Sequence, residues 1–201
     1  LKELALTLQI CANLLKNRQL ASSIKDARLI ESIIGIFTAN SGISFLRDAV
    51  IHTLLTVSGS HEGVQLITQA NIDLKELVYS ALQSQNPSLV DQIELIVSNI
   101  ASEQLVERAI ADALRAPADD KIIVFLAFLS GNEKFKAQFE SRQLVECLCG
   151  VLREGGSREL VLGALKIFKE LVKLNSAYVE MFAESGGLGI VTKCMETPEH
   201  Y

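Results

Sequence analysis

Apolar side chains recur every three or four residues along almost the whole chain, and this spacing restricts the fold more than any other feature. The spacing is clearest over residues 4–15, 90–100 and 161–172. Residues at such intervals share one face of an α-helix, whereas a half-buried strand alternates polar and apolar residues, and no convincing alternation occurs. Gly, Pro, Asn and Ser cluster between the helical stretches, and we expect Ser88, Asp119 and Ser157 to cap the helices there. The sequence therefore predicts an all-α protein with short turns.

The predicted ends of the long helices recur at a regular interval. In chain order they are Leu14, Val57, Ile100, Leu129 and Val172. The successive intervals are 43, 43, 29 and 43 residues. The same offsets relate two further apolar columns, whose aromatic members we expect in the core: Leu20, Gly63 with Val64 beside it, Val106, Phe135 and Tyr178; then Ile24, Ile67, Ile110, Phe139 and Phe182. A repeated period of this size is typical of proteins built from stacked helical repeats.

Each full unit is predicted to contain a short, a medium and a long helix. Residues 60–69, 73–84 and 88–102 are one example. The predicted units are 1–17 (partial), 18–59, 60–103, 104–131 (shortened), 132–174 and 175–201 (partial). The unit 104–131 is shortened because the stretch before its long helix leaves no room for a full medium helix.

The ends of two long helices resemble the signature of a known repeat family. Cys11-Ala12-Asn13-Leu14 and Val97-Ser98-Asn99-Ile100 are similar to the "Leu-Ser-Asn-Leu" motif of armadillo repeats, and residues 183–188 resemble the family's Gly-containing turn. The resemblance implies a right-handed α-solenoid of three-helix repeats, with residues 1–201 forming a single domain. It is carried by apolar spacings and small-residue turns, so a HEAT-type solenoid remains an alternative.

The resemblance also implies a binding site for a protein or an extended peptide. In armadillo proteins the Asn near the end of each long helix grips the backbone of a peptide, which assigns this role to Asn13 and Asn99. Where the family's peptide grooves carry Trp, this chain has Gln9 and Leu95, so a basic nuclear-localisation peptide is not expected. Gln9 is included among the candidate partner-binding residues. The alternative is that the two Asn side chains only satisfy neighbouring backbone groups.

A second candidate surface is a stripe of basic residues on the last long helix. Arg158, Lys166, Lys169 and Lys173 share one side of this otherwise apolar helix. If the stripe lies on the concave side of a solenoid, it favours an acidic partner peptide. A solvated helix face is the alternative explanation.

The charge balance argues against nucleic acid as a partner. The chain has 24 acidic and 19 basic residues, a net charge of −5 with neutral histidine, and no compensating block of Lys or Arg. The four cysteines lie in apolar stretches without disulfide or zinc-site spacing, which predicts a reducing compartment, the cytoplasm, with the nucleus left open. No apolar run is long enough to span a bilayer, so no integral membrane segment is expected.

The sequence contains no recognisable catalytic or metal-binding constellation. His52, His61 and His200 are scattered, with no carboxylate or cysteine at the spacing of metal ligands. Cys147 and Cys149 are two residues apart, which puts their thiols on different faces of a helix. We therefore expect a protein that is not an enzyme and that needs no cofactor and no metal.

Two other functions remain open beside peptide binding. In a structural role, the chain would form a homodimer or pack in a cytoskeletal or organelle-associated assembly, and self-association would cover Phe45 and Leu46, which we expect in an exposed turn region. In a regulatory role, it would bind a small GTPase, as the armadillo regions of formins do. Because the chain begins at Leu1 and ends part-way through a unit, we expect a longer parent protein.

Overall fold

The computed structural model of this chain describes residues 2–16, 28–39, 43–70, 73–84, 86–184 and 186–196. Every regular element in these ranges is a helix, which confirms the all-α class. The chain divides into two compact units, unit 1 from Leu1 to Ile100 and unit 2 from Ala101 to Tyr201. Of the residues named in the sequence analysis, Leu1, Leu20, Ile24 and His200 lie outside the described ranges, and so does the side chain of Cys194, the last of the four cysteines.

The described part of unit 1 forms six helices. They are α1 (Lys2–Leu15), α2 (Arg28–Ala39), α3 (Ser44–Ser58), α4 (His61–Gln69), α5 (Leu74–Gln83) and α6 (Pro87–Ile100). Helix α3 lies at the centre, because it packs against α1, α2, α4 and α6. Its apolar residues, including Leu46, Ile51 and Leu54, are accordingly almost fully buried. The long helices α1, α3 and α6 thus form a row in which α3 is covered on two sides.

The described part of unit 2 forms six α-helices and one 3-10 helix. They are α7 (Glu103–Arg115), α8 (Asp120–Ser130), the 3-10 helix (Glu133–Phe139), α9 (Arg142–Glu154), α10 (Arg158–Leu174), α11 (Ala177–Glu184) and α12 (Gly187–Glu196). Helix α8 is apolar on all sides, and each of its residues from Ile122 to Ser130 is buried, as expected for a helix that is surrounded by others. It packs against α7, the 3-10 helix and α10.

Helices α8 and α10 approach each other closely at a glycine. A methyl group added at Gly163 of α10 would lie 3.1 Å from Ile123 Cγ2 and 3.4 Å from the Ile123 carbonyl oxygen of α8. The small residue therefore allows the backbones to come together. Phe135 and Phe139 of the 3-10 helix are buried beside this pair, and Tyr178 of α11 is also buried, as the apolar columns predicted. Phe182, the fourth aromatic residue expected in the core, is only half-buried.

The long helices end close to the predicted positions. Helices α1, α3, α6, α8 and α10 end at Leu15, Ser58, Ile100, Ser130 and Leu174, each within two residues of the predicted end. Residues 104–131, predicted to form a shortened unit, lie in two helices, α7 and α8, and in the turns next to them. The three helices predicted for residues 60–102 are also present, as α4, α5 and α6.

Two of the three predicted caps are confirmed and the third is wrong. The Asp119 carboxylate accepts hydrogen bonds from the backbone N–H groups of Lys121 and Ile122, and the Ser157 hydroxyl accepts one from Leu160. Ser88 does not cap its helix, because α6 already begins at Pro87. Proline suits the first helical position, since its missing N–H would have no partner there.

The prediction of an exposed turn around Phe45 and Leu46 is wrong. Both residues belong to the first turn of α3. Phe45 is 44% exposed, but Leu46 is fully buried. Successive helix residues point about 100° apart, so two neighbours in a surface helix can differ completely in burial.

Candidate functional site

The candidate residues of unit 1 lie on the exposed sides of two long helices. Gln9 and Asn13 of α1 are exposed, and so is Asn99 of α6. Helix α3 packs against both α1 and α6. Leu95, which stands four residues before Asn99, is also largely exposed. The α6 surface thus combines an amide with an aliphatic side chain, and this combination suits contact with a peptide backbone and an apolar side chain.

The amide of Asn99 is oriented by a bond to the neighbouring long helix. Its Nδ2 donates to Ser58 Oγ of α3 at 3.2 Å, and Ser58 Oγ in turn donates to the Leu55 carbonyl oxygen at 3.0 Å. Ser58 is buried, so this bond also satisfies a hydroxyl that water does not reach. The bond uses one of the two N–H groups of the Asn99 amide. It therefore gives Asn99 a role between helices that the sequence analysis did not assign.

The candidate residues of unit 2 belong to what we name the lysine surface, formed by Lys166, Lys169 and Lys173 of α10 together with Lys136 of the 3-10 helix. The three α10 lysines are exposed. Lys136 was missed by the sequence analysis because it comes from a different element. Among the described residues, the Glu133 and Glu170 carboxylates lie within ion-pair distance of Lys136, and Glu170 also pairs with Lys173. The surface is therefore locally positive on a chain whose net charge is −5.

A single carboxylate, that of Glu170, organises one end of the lysine surface. Lys173 Nζ donates to both Glu170 oxygens, at 2.8 and 3.0 Å, and Lys136 Nζ lies 3.7 Å from Oε2. The hydrogen bond from Lys173 lowers the pKa of Glu170, and Lys136 and Lys169 add to the effect. The pKa of Lys136 is raised, mainly by its hydrogen bond to Glu133. Lys136 and Glu170 are half-buried, but their partners Glu133 and Lys173 are exposed to solvent, so the pairing fixes side-chain positions more than it stabilises the fold.

Lys166, at the other end of the lysine surface, is positioned by an aromatic ring. Its ammonium lies 4.9 Å from the centre of the Phe128 ring of α8. A cation over an aromatic face is attracted by the electron density of the ring, and this interaction leaves part of the ammonium open to solvent. The offsets found in the sequence analysis align Phe128 with Asn13 and Asn99, because it lies 29 residues after Asn99. The sequence alone did not pair it with Lys166.

Unit 2 contains a groove lined by both charged and apolar side chains. A groove of about 660 Å³ lies between α9 and α11. Its lining residues are Arg142, Glu146, Cys149, Arg153, Tyr178, Met181 and Glu184. Arg142 Nε donates to Glu146 Oε1 at 2.8 Å, and Cys149 is buried with its Sγ 3.9 Å from the Met181 carbonyl oxygen. The groove therefore has mixed charge.

The structure places the Cys147 and Cys149 thiols against different helices, as their spacing predicts. Cys147 Sγ approaches the Ala113 carbonyl oxygen of α7, whereas Cys149 approaches α11, so the two thiols contact different helices. Burial raises the pKa of the Cys147 thiol. His52 and His61 are exposed. Within the described ranges, no group of three or more His, Cys, Asp or Glu side chains is placed to hold a metal ion, and no helix has the length and hydropathy to cross a bilayer.

The sequence matches no known protein family, no curated protein and no solved structure.

Replacing Glu170 with glutamine should remove a pH-dependent contribution to stability. The pKa of Glu170 is lowered in the folded state, so its ionised form stabilises the fold above the ordinary value of 4.5 and this contribution is lost as the pH falls below it. Because the pair is at the surface, we expect a loss of less than about 1 kcal/mol at pH 7. Urea unfolding of both chains at pH 7, 4 and 3 should show the difference shrinking at acid pH.

The matched control for this experiment is Glu140→Gln. Glu140 is exposed and directly follows the 3-10 helix that carries Lys136, and its substitution makes the same change in charge. A Glu170→Gln difference that stays constant from pH 7 to pH 3 would contradict the assigned ion pairs.

Proposed function

We propose that this chain is a non-catalytic scaffold that binds an acidic segment of a partner protein. Its architecture in this proposal is an α-solenoid of armadillo-like three-helix repeats with one shortened repeat. A solenoid exposes one face of each long helix along a continuous wall, so that a bound segment meets side chains at regular intervals. The partner-binding residues are Gln9, Asn13 and Asn99 in unit 1 and the lysine surface in unit 2.

The packing of the long helices supports the proposed architecture. In unit 1, α1 packs against α3 and α3 against α6, while the shorter helices α4 and α5 contact α6. In unit 2, α8 packs against α10, and α7, the 3-10 helix and α9 contact these helices. Contacts mainly between neighbouring repeats are typical of stacked helical units.

The lysine surface carries the proposal for the partner's charge. Three exposed ammonium groups lie on one side of α10, and two of them have fixed positions, Lys166 over the Phe128 ring and Lys173 against Glu170. Preorganised cations lose little conformational freedom when a carboxylate binds. A locally positive surface on an acidic protein also attracts acidic segments selectively, because the rest of the molecule repels them.

Peptides that bind the chain should be acidic, and reversing the charge of the lysine surface should release them. The purified chain is immobilised and used to select from a library of random 15-residue peptides, and the enriched peptides are then titrated in solution. The variant Lys166→Glu, Lys169→Glu, Lys173→Glu should bind at least about tenfold more weakly, because each reversal replaces attraction by repulsion. Fluorescence anisotropy at low salt measures the change.

A charge-matched control separates local from overall electrostatics. Reversing Lys2, Arg28 and Arg108, three exposed cations on other helices, changes the net charge equally and should alter the affinity much less. Enrichment of peptides without an acidic bias, or equal losses in the two variants, would contradict the proposal. A third variant, Asn13→Ala with Asn99→Ala, tests whether the same peptides also contact unit 1.

A further inference from the structure

Helix α1 exposes an aliphatic stripe that is unusual for a long helix of this chain. Leu6, Ile10 and Leu14 are 58%, 51% and 48% exposed. They are spaced by four residues and therefore share one face of α1. The opposite side of the helix is covered, because Leu8 and Ala12 are buried and α1 packs against α3. The face defined by Leu6, Ile10, Asn13 and Leu14 is named the outer face of α1.

The equivalent positions in the two later long helices of unit 1 are covered. An offset of 43 residues relates Ile10 and Leu14 to Thr53 and Val57 of α3, which are 0% and 1% exposed. A further 43 residues lead to Ile96 and Ile100 of α6, which are 0% and 7% exposed. The counterparts of Leu6, which are Ala49 and Gln92, are half-buried. Only the first of three equivalent faces is therefore open to solvent in unit 1.

The preceding long helix contributes to the cover in each case, because α3 packs against α1 and α6 packs against α3. Thr53 Oγ1 of α3 donates to the Ala49 carbonyl oxygen at 2.7 Å and lies 3.3 Å from the Leu8 carbonyl oxygen of α1. Asn99 of α6 donates to Ser58 of α3 at 3.2 Å. Asn99 is the counterpart of Asn13, since the two are 86 residues apart. The outer face of α1 thus has the composition of the α6 face that docks on α3, including its amide.

We propose that the outer face of α1 is a docking surface for a long helix of a further repeat unit, which lies along α1 as α3 lies along α6. The occupant carries an aliphatic stripe and, at the position of Ser58, a small hydroxyl residue that accepts a hydrogen bond from the Asn13 amide. The proposal shares the repeat register with the proposed function, but it does not depend on an acidic partner. It therefore stands if the lysine surface proves to bind nothing.

A second copy of this chain fits the outer face less well. Two copies that met through this face would bring together two aliphatic stripes and two Asn13 amides. The register instead favours an occupant of the α3 type, because α3 packs against α6 and its Ser58 accepts a hydrogen bond from the Asn99 amide.

An extended chain tests this proposal directly. Residues 44–86 are joined ahead of Leu1, so that a copy of α3 precedes α1 by the same 43 residues that separate α3 from α6. Ile10→Glu is then introduced into the 201-residue chain and into the extended chain. We expect it to lower the Tm by less than about 2 °C in the former and by more than about 5 °C in the latter, because only there is Ile10 covered.

The control substitution is Ala5→Glu on the same helix. Carboxylates already occupy the equivalent positions in the later long helices, as Asp48 and Asp91, and both are exposed. Its effect should stay below about 2 °C in both chains. Equal effects of Ile10→Glu in the two chains, or an extended chain that does not fold, would overturn the proposal. So would a 201-residue chain that is dimeric by sedimentation and dissociates on Ile10→Glu, since the occupant would then be a second copy.

Discussion

The substitution Gly63→Ala should lower the free energy of unfolding by about 2–4 kcal/mol. Gly63 is buried in the first turn of α4, directly after the turn that follows α3. A methyl group there would overlap the Val57 carbonyl oxygen and lie 2.7 Å from the carbonyl carbon and 2.8 Å from Cγ1 of the same residue. Two of these atoms belong to the backbone of α3, so relief requires α4 to move away from α3. Urea unfolding followed by circular dichroism measures the loss.

The control Gly35→Ala should change stability in the opposite direction. Gly35 is exposed in the middle of α2, and a methyl group there meets no atom within 4 Å. Alanine in an open helical position is expected to stabilise by about 0.5–1 kcal/mol, since glycine loses more backbone freedom on folding. If both substitutions stabilised the chain, the close approach at Gly63 would be contradicted.

Gly63 also explains an irregularity in the repeat register. At the equivalent positions Val106, Phe135 and Tyr178 the chain carries buried side chains, whereas Gly63 has none. In the sequence, the apolar column is interrupted at this position, where Gly63 stands next to the apolar residue Val64. The structure gives the physical reason, because the carbonyl end of α3 occupies the space that a side chain would need. A periodic pattern identifies such a position as exceptional but does not identify the atom that causes the exception.

The helix boundaries could be predicted because their signals are local. Asp119 and Ser157 cap their helices through bonds to residues two or three positions away, so the sequence contains both partners. Ser88 failed as a cap for an equally local reason, since Pro87 takes the first helical position. The ends of the long helices were predicted to within two residues because apolar spacing and turn residues agree there.

The candidate sites could be predicted only in part because their geometry depends on distant residues. The α10 lysines are visible as a stripe in the sequence, but Lys136 and Phe128 reach them from two other elements. Asn99 meets Ser58, which lies 41 residues earlier. The spacing of residues within one helix gives no information about such pairs, since they depend on how whole helices pack.

The substitution Leu46→Ala should lower the free energy of unfolding by about 2–5 kcal/mol, the range found when a buried leucine is truncated in a packed core. Leu46 is fully buried in α3, which packs against four other helices at the centre of unit 1. Removing its side chain would therefore leave a cavity inside the core of this unit. The neighbouring substitution Phe45→Ala removes a larger side chain that is 44% exposed, and we expect it to cost less than about 1 kcal/mol.

The substitutions Phe45→Ala and Leu46→Ala also distinguish two roles for the start of α3, packing in the core of unit 1 and self-association. If a second molecule covered both residues, Phe45→Ala would shift the sedimentation coefficient at high protein concentration and would cost as much stability as Leu46→Ala. If only Leu46 belongs to the core, Phe45→Ala leaves both quantities nearly unchanged, while Leu46→Ala lowers the urea midpoint at every protein concentration. The burial of Leu46 within unit 1 favours the second result, because a side chain already enclosed by its own fold has no surface left to offer to a partner.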